Sequence, residues 1–252
     1  MPGSIPEGLL AGPLAFDVSD GGRVAVLDQG GARLVLSGTH PLTVPLDFRG
    51  LRCRFHGESV IVLGAAGELR TINAAGVTMD DATTHAGAVN LAVMKSGSVV
   101  VTFADGDRTL ERLGPNACVV RSELLDSATA VAAASGGLWV AGDGPKGPHA
   151  VFFRPRAMEL QTTSCVVLPA NPSAATIGPD GALWLLAGND NVLRVDAGRV
   201  DPPYELPDAV VDLARAGPRL LGLDARGVLD LSALVPPAPG PSPQPDLPAC
   251  GT

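Results

Sequence analysis

A short unit recurs six times along this chain: an apolar strand, a turn containing Gly, Asp or Asn, and a second strand. The apolar strands begin at Val24, Val60, Val99, Leu138, Leu183 and Leu220, at intervals of 36, 39, 39, 45 and 37 residues. A unit of about 40 residues that cannot bury both its faces alone must stack against copies of itself. That requirement leaves few architectures open. An open β-sandwich or two smaller β domains would use the same strands but would not demand so even a spacing.

The six strands read VAVL, VIVL, VVVTF, LWVA, LWLL and LLGL, near-continuous apolar runs as expected for strands covered on both faces. The turns after them (DQGG, GAAG, ADGD, GDGPKG, AGND and DARG) carry residues that tolerate positive φ. Partner strands such as LRTI, LERL, VLRV and VLDL alternate with polar residues. About ten residues before each anchor lies another short apolar stretch: LAFDV, LRCRF, VNLAVM, ATAVAAA, SAATI and VVDLA. These are read as innermost strands, whose Ala130, Ala132, Ala134, Ala174 and Ala175 suit a crowded axis. Outer strands follow in LTVPL, VTMD, CVVRSEL, SCVVL and PYELP, and the sixth repeat alone lacks one.

The pattern predicts an all-β fold, a six-bladed β-propeller of four-stranded blades. Residues 4–10, SIPEGLL, are expected to supply the missing outer strand and close the ring, removing an exposed sheet edge. The propeller is expected to span residues 1–233. Residues 234–252 form a proline-rich tail with seven of the 23 prolines, unsuited to a central strand.

Composition bounds the function. The net charge is −8, and no run of Lys or Arg could follow a phosphate backbone, so nucleic acid is not an expected partner. No stretch of 18 apolar residues occurs, and the N-terminus lacks a basic region followed by an apolar one, so a soluble cytoplasmic protein without membrane insertion is expected. Cys53, Cys118, Cys165 and Cys250 form no CxxC pair and read as idle thiols rather than metal ligands or a disulfide framework.

Residues 12–38 and 172–198 resemble NHL-type and virginiamycin-B-lyase-like propeller repeats: a small or polar residue, Gly, an apolar strand, a turn, and a second strand ending in Asp-x-Gly. The resemblance implies a six-bladed propeller, and, for lyases of this kind, histidines and a glutamate at the mouth of the late blades. Blades five and six here contain no His; His40, His56, His85 and His149 fall earlier. Lactonase-like propellers imply a metal in the central channel, and Glu7 in PEGLL is similar to their first glutamate. The segment FRGLRCRFHG resembles phage-tail-associated propellers.

From the residues themselves, no catalytic constellation, cofactor or metal site is expected. The unusual feature of the axis is its polar residues: Asp17, Arg52, Arg54, Asn90, Asp212 and Arg215, candidates for a ligand site at the channel mouth or for mutual pairing within it. Trp139 and Trp184 occupy equivalent positions and are expected to pack between blades. The reading is a non-catalytic interaction module, a structural or adaptor component of a larger assembly that meets protein partners through its loops and proline-rich tail. The alternative is a lyase or lactonase-type enzyme acting on a small molecule at the channel mouth.

Overall fold

The computed structural model describes residue 5 and residues 8–114, 117–156, 159–188, 190–206 and 209–236. Six antiparallel sheets follow one another along the chain. Blade one holds β1 (Ala15–Val18), β2 (Val24–Asp28), β3 (Arg33–Leu36) and β4 (Leu42–Pro45). Blade two holds β5 (Gly50–His56), β6 (Ser59–Gly64), β7 (Glu68–Ile72) and β8 (Thr78–Thr83). Blade three holds β9 (Ala88–Val93), β10 (Val99–Phe103), β11 (Leu110–Leu113) and β12 (Cys118–Val120). Blade four holds β13 (Ala130–Ala134), β14 (Gly137–Gly142), β15 (His149–Arg156) and β16 (Glu159–Val167). In blade five, β17 (Pro172–Ile177), β18 (Leu183–Ala187) and β19 (Asn191–Asp196) are followed by β20 (Arg199–Val200) and β21 (Tyr204–Glu205), both pairing with β19 as an interrupted outer strand. Blade six holds β22 (Asp212–Ala216), β23 (Arg219–Leu223) and β24 (Val228–Asp230).

This is the six-bladed propeller anticipated from the repeat. The innermost strands β1, β5, β9, β13, β17 and β22 each contact the next, and β22 returns to β1 to complete the ring. Second strands are buried along their length, as in β2 and β14, because each blade is covered on both faces. Six apolar layers result, one at each blade junction. Trp184 is fully buried between blades five and six, its indole N–H donating to Asp180 Oδ1 at 3.1 Å.

Among the described residues the sixth blade has three strands. The expected closing strand, residues 4–10, lies partly outside the described residues; its Ile5 and Leu10 pack on the layer between blades one and six. Leu9 of the same segment and Ala11 just after it are held to blade one, Arg33 Nη2 donating to Leu9 O at 2.8 Å and Ala11 N to Asp28 Oδ1 at 2.9 Å. At the other end Leu234 and Val235 pack on the layer between blades five and six. Most of the proline-rich tail lies outside the described residues.

The longest interval, 45 residues, has a structural cause in blade four. Strands β15 and β16 form a long hairpin, and Arg154, Pro155 and Arg156 pair with β16 alone, beyond the end of β14. The hairpin therefore overhangs one mouth of the ring.

Candidate functional site: the axial cavity

The channel is built from inner-strand residues that cross-strand pairing sorts into levels. Val18, Phe55, Val93, Ala133, Ile177 and Arg215 each face the first anchor residue of the next strand and encircle the mouth bearing the first hairpin of every blade. One residue deeper stand Asp17, Arg54, Ala92, Ala132, Thr176 and Ala214. Three residues deeper stand Ala15, Arg52, Asn90, Ala130, Ala174 and Asp212.

A cavity of ≈ 820 Å³ opens at this mouth, and its lining stops above the deepest of those levels. Of the six sequence candidates, Asp17, Arg54 and Arg215 line it. Arg52, Asn90 and Asp212 lie deeper and fasten blades to one another. Adjacent inner strands share no backbone ladder, so side chains must supply the polar bridges between them. Asn90 Nδ2 donates to Thr129 O at 3.0 Å, linking blade three to the segment that enters blade four. Arg52 spans the axis: its Nη2 donates to Ser173 O of the opposite blade at 3.3 Å, while its buried Nε has no partner among the described residues. Burial pulls the Arg52 guanidinium below its usual range.

Asp212 and Arg54 form a buried pair where the ring closes. Arg54 Nη1 donates to Phe16 O and Cys53 O, each at 2.9 Å, and to Asp212 Oδ2 at 3.3 Å; Nη2 donates to Asp212 Oδ1 at 3.4 Å. Asp212 also accepts from Phe16 N at 3.0 Å and Leu213 N at 2.9 Å. Blades one, two and six meet in this one network. Burial opposes the Arg54 charge, but Asp212 and Asp17 outweigh it and hold the guanidinium above its usual range. Such a pair repays its desolvation only when its remaining donors and acceptors are satisfied, and here backbone groups do that.

Asp17 differs from Asp212 in having no direct salt bridge among the described residues. Its Oδ2 accepts from Phe55 N at 2.7 Å. Burial pushes its carboxyl up to about 6, against the opposing pull of the Arg54 charge and of backbone N–H donors. A cavity-lining acid that titrates near neutrality is one kind of group able to exchange a proton with a ligand.

The opposite wall was not read from the sequence. Trp139 and Phe152 of blade four stand with ring centroids 5.1 Å apart and tilted by 49°, and both line the cavity. Trp139 thus serves the blade packing expected of it and the cavity as well. Of the five alanines expected to crowd the axis, Ala130 and Ala174 are buried below the cavity, whereas Ala132, Ala134 and Ala175, with Ala133 beside them, border open space as part of the wall. Arg154 and Ser164 reach it from the overhanging hairpin, and Lys95 from the turn joining β9 to β10. Two features could have pointed there: the long fourth interval, and the rule that every first hairpin of a blade meets the same mouth.

The histidines do not converge. His40 and His56 are exposed on blades one and two, His85 Nδ1 lies 2.9 Å from Glu111 Oε2, and His149 Nδ1 lies 2.6 Å from Gly147 O. None lines the cavity. Among the described residues no three His, Cys, Asp or Glu gather into a metal-holding group, and Glu7 lies outside them. Among the described residues no helix is long and apolar enough to cross a membrane.

No family model and no curated protein sequence matches the chain. Solved structures do. The chain is similar to a catalytically inactive virginiamycin B lyase from Staphylococcus aureus with quinupristin, at 14% identity and TM-score 0.64, covering 89% of this chain and 87% of that one. The likeness is one of fold. A gluconolactonase from Xanthomonas campestris aligns at 15% identity and TM-score 0.66, over 87% of this chain and 85% of its own. The WD40 propeller domain of Doa1 aligns at 12% identity and TM-score 0.59, over 87% and 92%. The repeat-level resemblance to virginiamycin-B-lyase-like propellers holds in three dimensions, within a scaffold shared by enzymes and non-enzymes alike.

Proposed function

We propose that this chain is a non-catalytic interaction module whose rim and proline-rich tail meet protein partners in a larger assembly, phage-tail-like assemblies being one setting that the sequence of residues 48–57 suggests. The observation that carries the reading is on the rim. Met79 at 62%, Val119 at 51% and Val167 at 64% exposure stand on the outer strands of three consecutive blades, with Val77 at 56% beside them. Apolar side chains exposed on the outer strands of consecutive blades offer contact points along the rim for a partner protein. The axial charges support the same reading, since Arg54, Asp212 and Arg52 are engaged in holding blades together. The tail adds a segment whose fixed φ angles lower the entropy lost on docking.

The test is affinity purification from the native lysate of three forms: the intact chain, a chain ending at Pro236, and a Met79→Lys, Val119→Lys, Val167→Lys variant with an unchanged melt. The reading predicts a stoichiometric partner on the intact chain, lost from at least one of the others. An intact chain that emerges as a lone monomer defeats it.

Asp17 supports a second reading. A half-buried carboxyl titrating at about 6 on a cavity wall is suited to general acid–base work, and the gluconolactonase and lyase likenesses suggest lactones or quinupristin as first substrates to offer. Turnover that disappears in Asp17→Asn would establish it; none with the intact chain would remove it.

A further inference from the structure

We propose that the axial cavity binds an amphipathic organic anion: an aromatic body seated against Trp139 and Phe152, with its carboxylate or sulfonate between Lys95 and Arg154. This goes beyond the protein-partner reading and does not depend on it.

The cavity, at ≈ 820 Å³, falls within the size range of small-molecule sites. Its two sides differ in kind. Blades four and five contribute the tilted edges of Trp139 and Phe152 and the half-buried Ile177, backed by Leu183 and Val195 of the same packed layer, an apolar wall suited to a flat ring system. On that wall the Ser164 hydroxyl is buried and has no hydrogen-bond partner among the described residues, a donor left for an occupant to satisfy.

Beside that wall, on the neighbouring blades three and four, Lys95 and Arg154 line the cavity with no ion pair among the described residues, and Arg215 of blade six does the same. Arg154 stacks over Phe152 with its guanidinium carbon 6.0 Å from the ring centroid, and Arg215 Nε donates to Gly217 O at 2.9 Å; both keep their remaining N–H donors. Three basic groups without acidic partners at one mouth depart from the balance of a chain with 26 acidic and 18 basic residues. The other charged groups in the lining are Arg54, bound to Asp212; Asp196, bound to Arg194 at 2.8 Å; and Asp17 and Asp20 on blade one. The acids that oppose an anion are therefore Asp17 and Asp20 on the blade opposite Arg154, together with Asp196 on blade five, which shares the one Arg194 guanidinium with Asp180 and Asp201. Protonating Asp17 removes one of them.

Isothermal titration with naphthoate, naphthalenemethanol and naphthylmethylammonium, which share one ring body and differ in charge, separates the contributions. Naphthoate is expected to bind about tenfold more tightly than the neutral alcohol, the scale of two partly exposed ion pairs, and the ammonium probe more weakly than either. Lys95→Ala with Arg154→Ala should erase the preference for naphthoate while leaving affinity for the alcohol. Trp139→Ala should weaken both probes, and circular dichroism melts check that each variant folds. Between pH 7 and pH 5 naphthoate affinity should rise, and Asp17→Asn should flatten that dependence. Equal affinity for the three probes, tighter binding of the ammonium, an unchanged preference in the double variant, or no binding of any probe would each overturn the proposal.

Discussion

Replacing Asp212 by Ala tests the network that closes the ring. Asp212 is wholly buried and accepts four hydrogen bonds: two from the Arg54 guanidinium and one each from Phe16 N and Leu213 N. Removing one partner of a buried ion pair costs about 3–5 kcal/mol, because the other charge is left uncompensated. Here the lower end applies. Arg54 retains the carbonyls of Phe16 and Cys53, and Asp17, whose charge Asp212 currently disfavours, can ionise in its place. About 3 kcal/mol corresponds to a fall in Tm of roughly 6–12 °C for a chain of this size. Thermal and urea melts at pH 7 measure it. Arg54→Met with Asp212→Leu removes both charges and should lie closer to the wild type than Asp212→Ala alone. A single variant melting within about 2 °C of the wild type, or a double variant less stable than the single, would refute the reasoning.

Asp17 should make stability fall as pH rises. Its native carboxyl is raised from 3.8 to about 6, so between those values the folded state holds more protons than the unfolded, and the slope of unfolding free energy with pH is negative. Two pH units correspond to roughly 3 kcal/mol as an upper bound, and Asp17→Asn should reduce this slope in urea melts from pH 3.8 to pH 6. Gly31→Ala should destabilise strongly, by more than about 2 kcal/mol in the same melts: φ is +97° there, and an added Cβ would run into the backbone carbonyl of Gly50 at the start of blade two. Cys53 is fully buried and its thiol is raised far above the usual range by burial, whereas Cys118 and Cys165 are half-buried. Iodoacetamide followed by peptide mapping should label Cys118 and Cys165 in the native protein and Cys53 only after unfolding.

The blade count, the order of strands within each blade and the inner-strand windows were legible in the chain, because a 36 to 45 residue period and apolar strands are local properties of sequence. So was the presence of unusual charge on the axis. Asp17, Arg52, Arg54, Asn90, Asp212 and Arg215 stand out against strands that are otherwise apolar. Their division was not legible. Whether Arg54 meets Asp212, 158 positions away, or Arg52 reaches Ser173, 121 positions away, depends on which blades lie side by side and which lie opposite when the ring closes. The cavity wall was hidden for a related reason: Lys95, Trp139 and Arg154 carry no local signal of shared purpose, and small alanines read the same whether they fill an axis or leave it open. Period and polarity are written residue by residue; the distance between side chains on different blades exists only once the sheets have closed around a common axis.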